Sequence, residues 1–550
     1  MVDISNSIVY QVYPKSFKDS DGDGVGDLRG VIEKLDYLES LGIDYLWLTP
    51  VFPSPQNDGG YDIANYTAID AAMGTMEDME ELISRADKKN IGIMLDMVFN
   101  HTSSEHEWFQ KALAGDKKYQ DYYIFVEGDG KNPPTNWTSK FSGSTWEYVP
   151  SLGKWYFHIF DRTQPDLNWK NPEVREELKN VIRFWKKKGV KGFRFDVINL
   201  ISKCDGWQDD YEGDGRRFYT DGPHVHAYIK ELTRDTGLDE MITVGEMNST
   251  SLEQCKLYAN PAEKELSMCF QFHHLKVDYK DGDKWKLQRP DIPKLKDILK
   301  TWQEEMQRAG SNMAVFWDNH DQPRAVSRFG SEDKYWKESA KMLAMCIHFM
   351  RGTPYIYQGD EIGMQNPHFS SIEQYRDVES IRNYEKLLAE GKRKEDILKA
   401  LAERSRDNGR TPMQWEKNGG FTKGSPWIGY GDSVSDINVA AQENEEDSIL
   451  NFYRKMVQYR KNRKIIREGE ISFQDCGEKV LAYERILGKE KLFVLCNFSE
   501  NPSEQIVLPE EETGWTILED SYTECNHFPE RNVLILRPYE GIVLESREKI

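Results

Sequence analysis

The chain has little cysteine and carries no segment that reads as an address. Its first residues, MVDISNSIVYQVYP, show no basic stretch leading into an apolar core, so they do not have the form of a secretory signal. No apolar run approaches the about 18 residues that a membrane-spanning helix needs. The seven cysteines (204, 255, 269, 346, 476, 496 and 525) are scattered, odd in number and without a C-x-x-C pair. That pattern argues against a disulfide framework or a zinc site. These absences together predict a reduced, cytoplasmic protein. Positive charge is also short: 72 Lys and Arg face 93 Asp and Glu, for a net charge of −21. A field of that sign repels phosphate backbones and anionic lipid. Neither nucleic acid nor membrane is therefore expected as a partner, and an anionic ligand would need a locally basic pocket. The oligomeric state is left open by the sequence, with a monomer favoured.

What is present has the pattern of a folded protein, with 38% hydrophobic and 30% charged residues in 550, too long for one small core. Eight short apolar runs recur between helical stretches, at 9–14, 43–50, 91–99, 190–198, 241–247, 268–274, 313–319 and 353–359. Runs apolar on both faces suit parallel strands covered by helices. The clearest helix signal opens with Asn171-Pro172 and acids and ends with Lys186-Lys187-Lys188-Gly189, the polarity that caps and the helix dipole favour. Its stripe is Val174, Leu178, Val181 and Trp185. Segment 30–42 repeats the pattern. Strands and helices alternating eight times predict an α/β (β/α)8 barrel, with a doubly wound open sheet as the rival.

Two stretches break that rhythm. Residues 102–170 are polar and rich in Trp and Tyr, and they read as a subdomain inserted after the third strand, over the barrel mouth. From about 470 to 550 the pattern turns to alternating strands around Gly488, a separate all-β domain of sandwich type. The barrel is then assigned 1–101 and 171–469.

Side chains at the C-terminal ends of barrel strands face the active site. Here those ends carry Asp96 and His101, Arg194 and Asp196, Glu246, and His320 and Asp321. One buried acid is ordinary, but acids at several strand ends are costly to desolvate and make sense around a shared site. Arg194 and Asp196 lie two apart on one strand and share a face, so the cation is expected to lower the Asp196 pKa and keep it ionised. Glu246 would need a raised pKa to act as an acid. Two carboxylates in those roles are the machinery of glycoside hydrolysis.

The motifs Asp96-Met-Val-Phe-Asn-His101, Gly192-Phe-Arg-Phe-Asp196, Gly245-Glu246 and Asn319-His320-Asp321 resemble those of glycoside hydrolase family 13, the α-amylase family. The resemblance covers essentially the whole chain. It implies Asp196 as nucleophile, Glu246 as acid/base and Asp321 as the third acid, with retention of anomeric configuration. It also implies Asp58, Tyr61, His101, Arg194, His320 and Arg324 around the reacting sugar. Gln164-Pro-Asp-Leu-Asn168 matches the family's extra motif in the insert.

Asp19-Ser-Asp21-Gly-Asp23-Gly24-Val25-Gly-Asp27 places oxygen ligands at positions 1, 3, 5 and 9 of an EF-hand-like loop, with Val25 able to offer its carbonyl. Gly30 stands where an EF-hand has its bidentate glutamate. Similar loops in the α-glucosidase branch hold calcium, so the resemblance implies a structural Ca2+; an acidic surface turn is the plain alternative.

Arg410-Thr-Pro-Met-Gln-Trp415 and Gly352-Thr-Pro-Tyr-Ile-Tyr-Gln-Gly359 resemble the oligo-1,6-glucosidase subfamily. Three further stretches, around Arg216-Arg217, Gly245–Leu252 and His273-His274-Leu-Lys276, resemble the branch acting on trehalose 6-phosphate. Arg216, Arg217 and Lys276, with Lys284 as a weaker candidate, would bind the phosphate, Arg offering a forked match to its oxygens. Which of the two arginines does so is open. The plain alternative is that these bases pair with the many acids. The expected activity is retaining hydrolysis of trehalose 6-phosphate to glucose and glucose 6-phosphate, with no organic cofactor. An oligo-1,6-glucosidase acting on isomaltose-type sugars is the alternative, and an inactive binding module a distant one.

Overall fold

The structure, a computed structural model, describes residues 4–509, 514–524 and 533–546; Cys525 and parts of the expected C-terminal region lie outside these. All eight expected barrel strands are present: Val9–Val12, Tyr45–Leu48, Gly92–Met97, Gly192–Phe195, Ile242–Glu246, Met268–Phe270, Ala314–Val315 and Thr353–Tyr357. They form one parallel sheet in the order seven, eight, one to six. A parallel bridge from Cys269 to Met313 joins the sixth to the start of the seventh, which closes the ring and excludes the open doubly wound sheet. The first six strands and the eighth are 3–6 residues each, buried on both faces as parallel strands are.

Pro172–Lys188 is a helix with the predicted ends. The Asn171 side chain accepts from the Glu173 amide, and Gly189 adopts φ +99° at its C-terminus, a left-handed conformation that glycine takes without strain. Val174, Leu178, Val181 and Trp185 are all buried. Segment 30–42 differs from its expectation: two helices, Leu28–Glu33 and Leu35–Leu41, meet at the non-helical Lys34. The first is tethered to the acidic loop, for the Asp27 side chain caps the Gly30 amide and a Cβ on Gly30 would lie 1.9 Å from the Lys18 carbonyl oxygen.

Between the third and fourth barrel strands, two short helices precede a three-stranded antiparallel sheet with Lys154–Phe157 in the middle. Its aromatic core, Trp137, Trp146 and Phe157, packs on Val197, Leu200 and Tyr219 from the segment after the fourth strand. The insert thus sits over the end of the strand that carries Asp196. After the eighth strand come the helices Val378–Ala389, Lys394–Arg404 and Asp407–Arg410.

The C-terminal strands form a five-stranded antiparallel sheet and a separate two-stranded one. This is the expected C-terminal all-β domain, and it packs directly on the barrel. One face of the larger sheet, with Leu481, Tyr483, Leu492 and Val494, belongs to the barrel's own hydrophobic core. The opposite face, with Ala482, Phe493 and Leu495, builds a second core with the small sheet. Strands apolar on both faces need cover on both, and the helix Trp336–His348 gives it: Tyr483 donates to the Cys346 carbonyl at 2.7 Å. Among the described residues, no helix is long and apolar enough to cross a membrane.

Candidate active site

A cavity of about 260 Å3 opens at the C-terminal ends of the barrel strands, lined by Asp58, Tyr61, His101, Asp196, Glu246 and Asp321 among others. Parallel strands bring Asp96, Arg194 and Glu246 side by side, because Asp96 registers with Arg194 and Arg194 with Val244, two residues before Glu246. Arg194 is 1% exposed and donates from Nη1 to Asp96 at 2.7 Å and Asp196 at 2.8 Å. Its Nη2 pairs with Glu246. Tyr61 donates to the second Asp96 oxygen at 2.8 Å and Trp47 to the same atom at 3.2 Å, so Asp96 holds the guanidinium rather than facing the cavity.

Directly after Asp196, Val197 adopts φ +35°. A β-branched residue in the left-handed region is strained by about 1–3 kcal/mol. The surroundings enforce it: the Asp196 amide donates to Met97 at 3.0 Å, and the Val197 side chain is buried in the insert's aromatic core. The turn ends the strand abruptly and leaves the Asp196 carboxylate facing the cavity.

Burial raises the Glu246 pKa well above the carboxylate range, and the neighbouring Asp196 and Asp321 raise it further against the pull of Arg194. That is the direction a general acid needs. Asp196 departs from expectation, for its pKa is raised. Burial is the larger cause, and Arg194 only opposes it. One guanidinium divided among Asp96, Asp196 and Glu246 does not offset the desolvation of all three. Asp321 goes the other way. Burial pushes it up, but in the acid range where it titrates a protonated His320, then Arg406 and Arg410, outweigh that and hold it well below the usual range.

Asp321 accepts from Arg410 Nη2 at 2.7 Å and lies 3.4 Å from Arg406 Nη1. Arg406 Nη2 also reaches Asp58 at 2.9 Å and the fully buried Asp377 at 2.6 Å. The sequence reading missed Arg406 and Asp377 and quoted Arg410 only as part of a phrase. Arg406 and Arg410 lie four apart in Asp407–Arg410 and its N-cap, hence on one helical face, a spacing that could have marked them.

The remaining expected sugar contacts divide into two groups. Asp58, Tyr61 and His101 line the cavity. Gln164, Arg194 and His320 stand behind them, at most 1% exposed, and position them. Gln164 Nε2 donates to Asp58 at 3.0 Å and lies 3.2 Å from His101 Nε2. His320 stacks on Tyr61 with ring centres 5.1 Å apart. Burial lowers its pKa to about 3, so the ring is neutral. Arg324 stands apart from the residues lining the cavity: it is fully buried, donates to the Gln358 carbonyl at 2.6 Å and lies over the Tyr357 ring. It sits at the N-cap of Ala325–Phe329, and that turn aims the side chain into the barrel wall.

The four phosphate candidates fare differently. Lys276 lines the cavity, and among the described residues no carboxylate lies within 4 Å of its ammonium. Lys284 also lines it but is paired with Glu379 at 2.6 Å. Arg217 is turned away onto Asp210 at 2.8 Å and Glu212. Arg216 is held by a fork onto Asp214, with Nη2 to Oδ2 at 2.6 Å. It does not line the cavity, yet its charge reaches Lys276. Lys140, on the insert, does line the cavity and has no carboxylate within 4 Å among the described residues. No periodicity or motif marked it.

In the acidic loop, the Asp19, Asp21 and Asp27 carboxylates each bring an oxygen within 4.8 Å of the others. Asp23 stands outside this trio, its carboxylate accepting from the Val25 amide at 2.7 Å. Gly22 and Gly24, both at positive φ, let the loop close around Asp19, which accepts from the amides of Asp21, Gly22 and Gly24.

Residues 11–469 match the family described as Alpha amylase, catalytic domain. The chain is 49% identical over 543 residues to a trehalose-6-phosphate hydrolase of Escherichia coli (strain K12), covering 98% of each. It is 43% identical over 556 residues to an oligo-1,6-glucosidase of Bacillus cereus, covering 98% of this chain and 99% of that one. Its structure superposes on a crystal structure of Bacillus licheniformis trehalose-6-phosphate hydrolase with a TM-score of 0.93 at 47% identity, over 98% and 99% of the two chains. With a closed eight-stranded barrel and carboxylates at its strand ends, the chain belongs to the α-amylase family of glycoside hydrolases.

Proposed function

We propose that this protein hydrolyses trehalose 6-phosphate to glucose and glucose 6-phosphate with retention of configuration, in the cytoplasm. The observation that carries the phosphate is Lys276: a cation lining the catalytic cavity with no carboxylate within 4 Å among the described residues, in a chain with 21 excess negative charges. Relatives of that activity at 49% and 50% identity support the same reading.

In the first step Asp196 attacks the anomeric carbon, the glycosidic bond breaks, and Glu246 gives its proton to the departing oxygen of glucose 6-phosphate. In the second, Glu246 takes a proton from water, which attacks the same carbon, releases glucose and frees Asp196. Both carboxylates accept from one guanidinium, which keeps them near each other, as a nucleophile and acid pair about 5 Å apart requires. Asp321, kept ionised by its cations, and Asp58 hold sugar hydroxyls, and Tyr61 offers a ring face. Lys284, bound to Glu379, is suited to hydroxyls rather than phosphate.

The test is turnover of trehalose 6-phosphate, trehalose and isomaltose with products quantified. The reading requires the phosphorylated disaccharide to have the highest kcat/KM, with equal amounts of glucose and glucose 6-phosphate formed. Isomaltose as the best substrate would instead assign the oligo-1,6-glucosidase activity.

The Asp19, Asp21 and Asp27 carboxylates, with the Val25 carbonyl, fit a structural calcium ion, since hard oxygen donors converge in a short glycine-bearing loop. It would clamp the loop beneath Leu28–Glu33 and take no part in the chemistry. Chelation should lower the melting temperature and leave KM unchanged.

A further inference from the structure

The outer end of the cavity has two walls, one from the barrel and one from the insert. Lys276 comes from the barrel, on the loop after the sixth strand; Lys140 comes from the insert. The Lys140 backbone is fixed by its amide donating to Ile159 at 2.9 Å, next to Ser139, whose hydroxyl donates to the Phe160 carbonyl at 2.6 Å. Beyond it the chain reverses through Ser142 and Gly143, both at positive φ. Its ammonium stands 5.6 Å from the centre of the Tyr219 ring, and the buried Tyr219 hydroxyl has no hydrogen-bond partner.

Each of these lysines faces like charge. Burial and then Arg216 push the Lys140 pKa down to about 8, with Lys276 adding to the effect. Lys276 is pushed down by burial and by Arg216. The one nearby acid that favours the charged Lys140, Asp214, is already engaged by the Arg216 fork. Lys140 is half-buried and Lys276 exposed, and like charges without a counter-charge repel each other. An anion between them offsets that repulsion, and a phosphate monoester brings about −1.5 to −2 charges at pH 7.

We propose that Lys140 is a second phosphate-binding residue, so that the substrate's phosphate bridges the inserted subdomain and the barrel. This rests on the reading of the cavity as a trehalose 6-phosphate site. The bridge gives the phosphate to lysines, with Arg216 contributing at longer range and Arg217 not at all.

The experiment compares kcat/KM for trehalose 6-phosphate and for 4-nitrophenyl α-glucoside, which lacks the phosphate, in the wild type, Lys140→Met and Lys140→Arg. Methionine keeps the apolar contact with Tyr219 and removes the charge. The ratio of the two efficiencies should fall roughly 10- to 100-fold in Lys140→Met, chiefly through KM for the phosphorylated sugar, and recover in part in Lys140→Arg. A ratio within about twofold of wild type would overturn the proposal. No preference of the wild type itself for trehalose 6-phosphate over trehalose would instead overturn the substrate reading. Should the methionine variant not fold, reductive methylation of the wild-type protein gives the answer. Glucose 6-phosphate should protect Lys140 where glucose does not, and equal labelling with both would contradict the proposal.

Discussion

At the inner end of the cavity Arg194 serves three carboxylates, and Arg406 with Arg410 serves Asp58, Asp321 and Asp377. At the outer end Lys140 and Lys276 line the wall with no carboxylate within 4 Å among the described residues. The inner charges are paired with one another, which fixes their positions before any sugar arrives and sets their pKa values against each other. The outer charges are left for a ligand to pair. On the proposed function, internal pairing marks the catalytic groups and its absence the phosphate site. Net charge, at −21, describes neither end.

The comparison predicts different losses at the two ends. Removing the nucleophile is the severest: Asp196→Asn should lower kcat for every glucoside by on the order of 10^4-fold or more, in steady-state assays. Arg406→Gln removes the cation bound to Asp58 and loosens Asp321, which Arg410 still holds. A displacement of about 1 Å at such groups costs about 10²-fold, so kcat/KM should fall by that amount for phosphorylated and plain substrates alike. At the outer end, Lys276→Ala should raise KM for trehalose 6-phosphate roughly 10- to 100-fold and reduce its advantage over an aryl glucoside. Arg217→Ala, whose guanidinium is already paired with Asp210 and Glu212, should change either parameter by less than about twofold. If Arg217→Ala and Lys276→Ala gave equal losses, pairing would not be the distinguishing feature.

The inner end also makes a prediction about pH. Activity needs Asp196 without its proton and Glu246 with it, so the rate rises as Asp196 deprotonates and falls as Glu246 does. Both are raised by burial, so both limbs of kcat/KM against pH for an aryl glucoside should lie above the free carboxylate values. An acid limb at or below the free aspartate value would show Arg194 overcoming burial after all.

The barrel was legible because its signals are local. Each strand is a short apolar run, each acid stands at a strand end, and Asn171, Pro172 and Gly189 mark one helix on their own. Arg406 was legible only through its four-residue spacing to Arg410, since its partner Asp58 lies 348 positions away, and no motif marks Asp377 or Lys140. Arg324 has the expected residue type near its motif, but its side chain turns to the Gln358 carbonyl, 34 positions on. The choice between Arg216 and Arg217, open in the sequence, involves acids close by in the chain: Arg217 pairs with Asp210 and Glu212, and Arg216 with Asp214. The lowered Asp196 pKa followed from counting one cation per acid, whereas three acids share Arg194.

The most direct test of unpaired charge as the recognition device is calorimetric titration of the inactive Asp196→Asn variant with trehalose 6-phosphate and with trehalose at two ionic strengths. The account predicts that the phosphorylated sugar binds at least about 30-fold more tightly, with the advantage shrinking as salt is added. Equal affinity for the two sugars, or an advantage indifferent to salt, would contradict it.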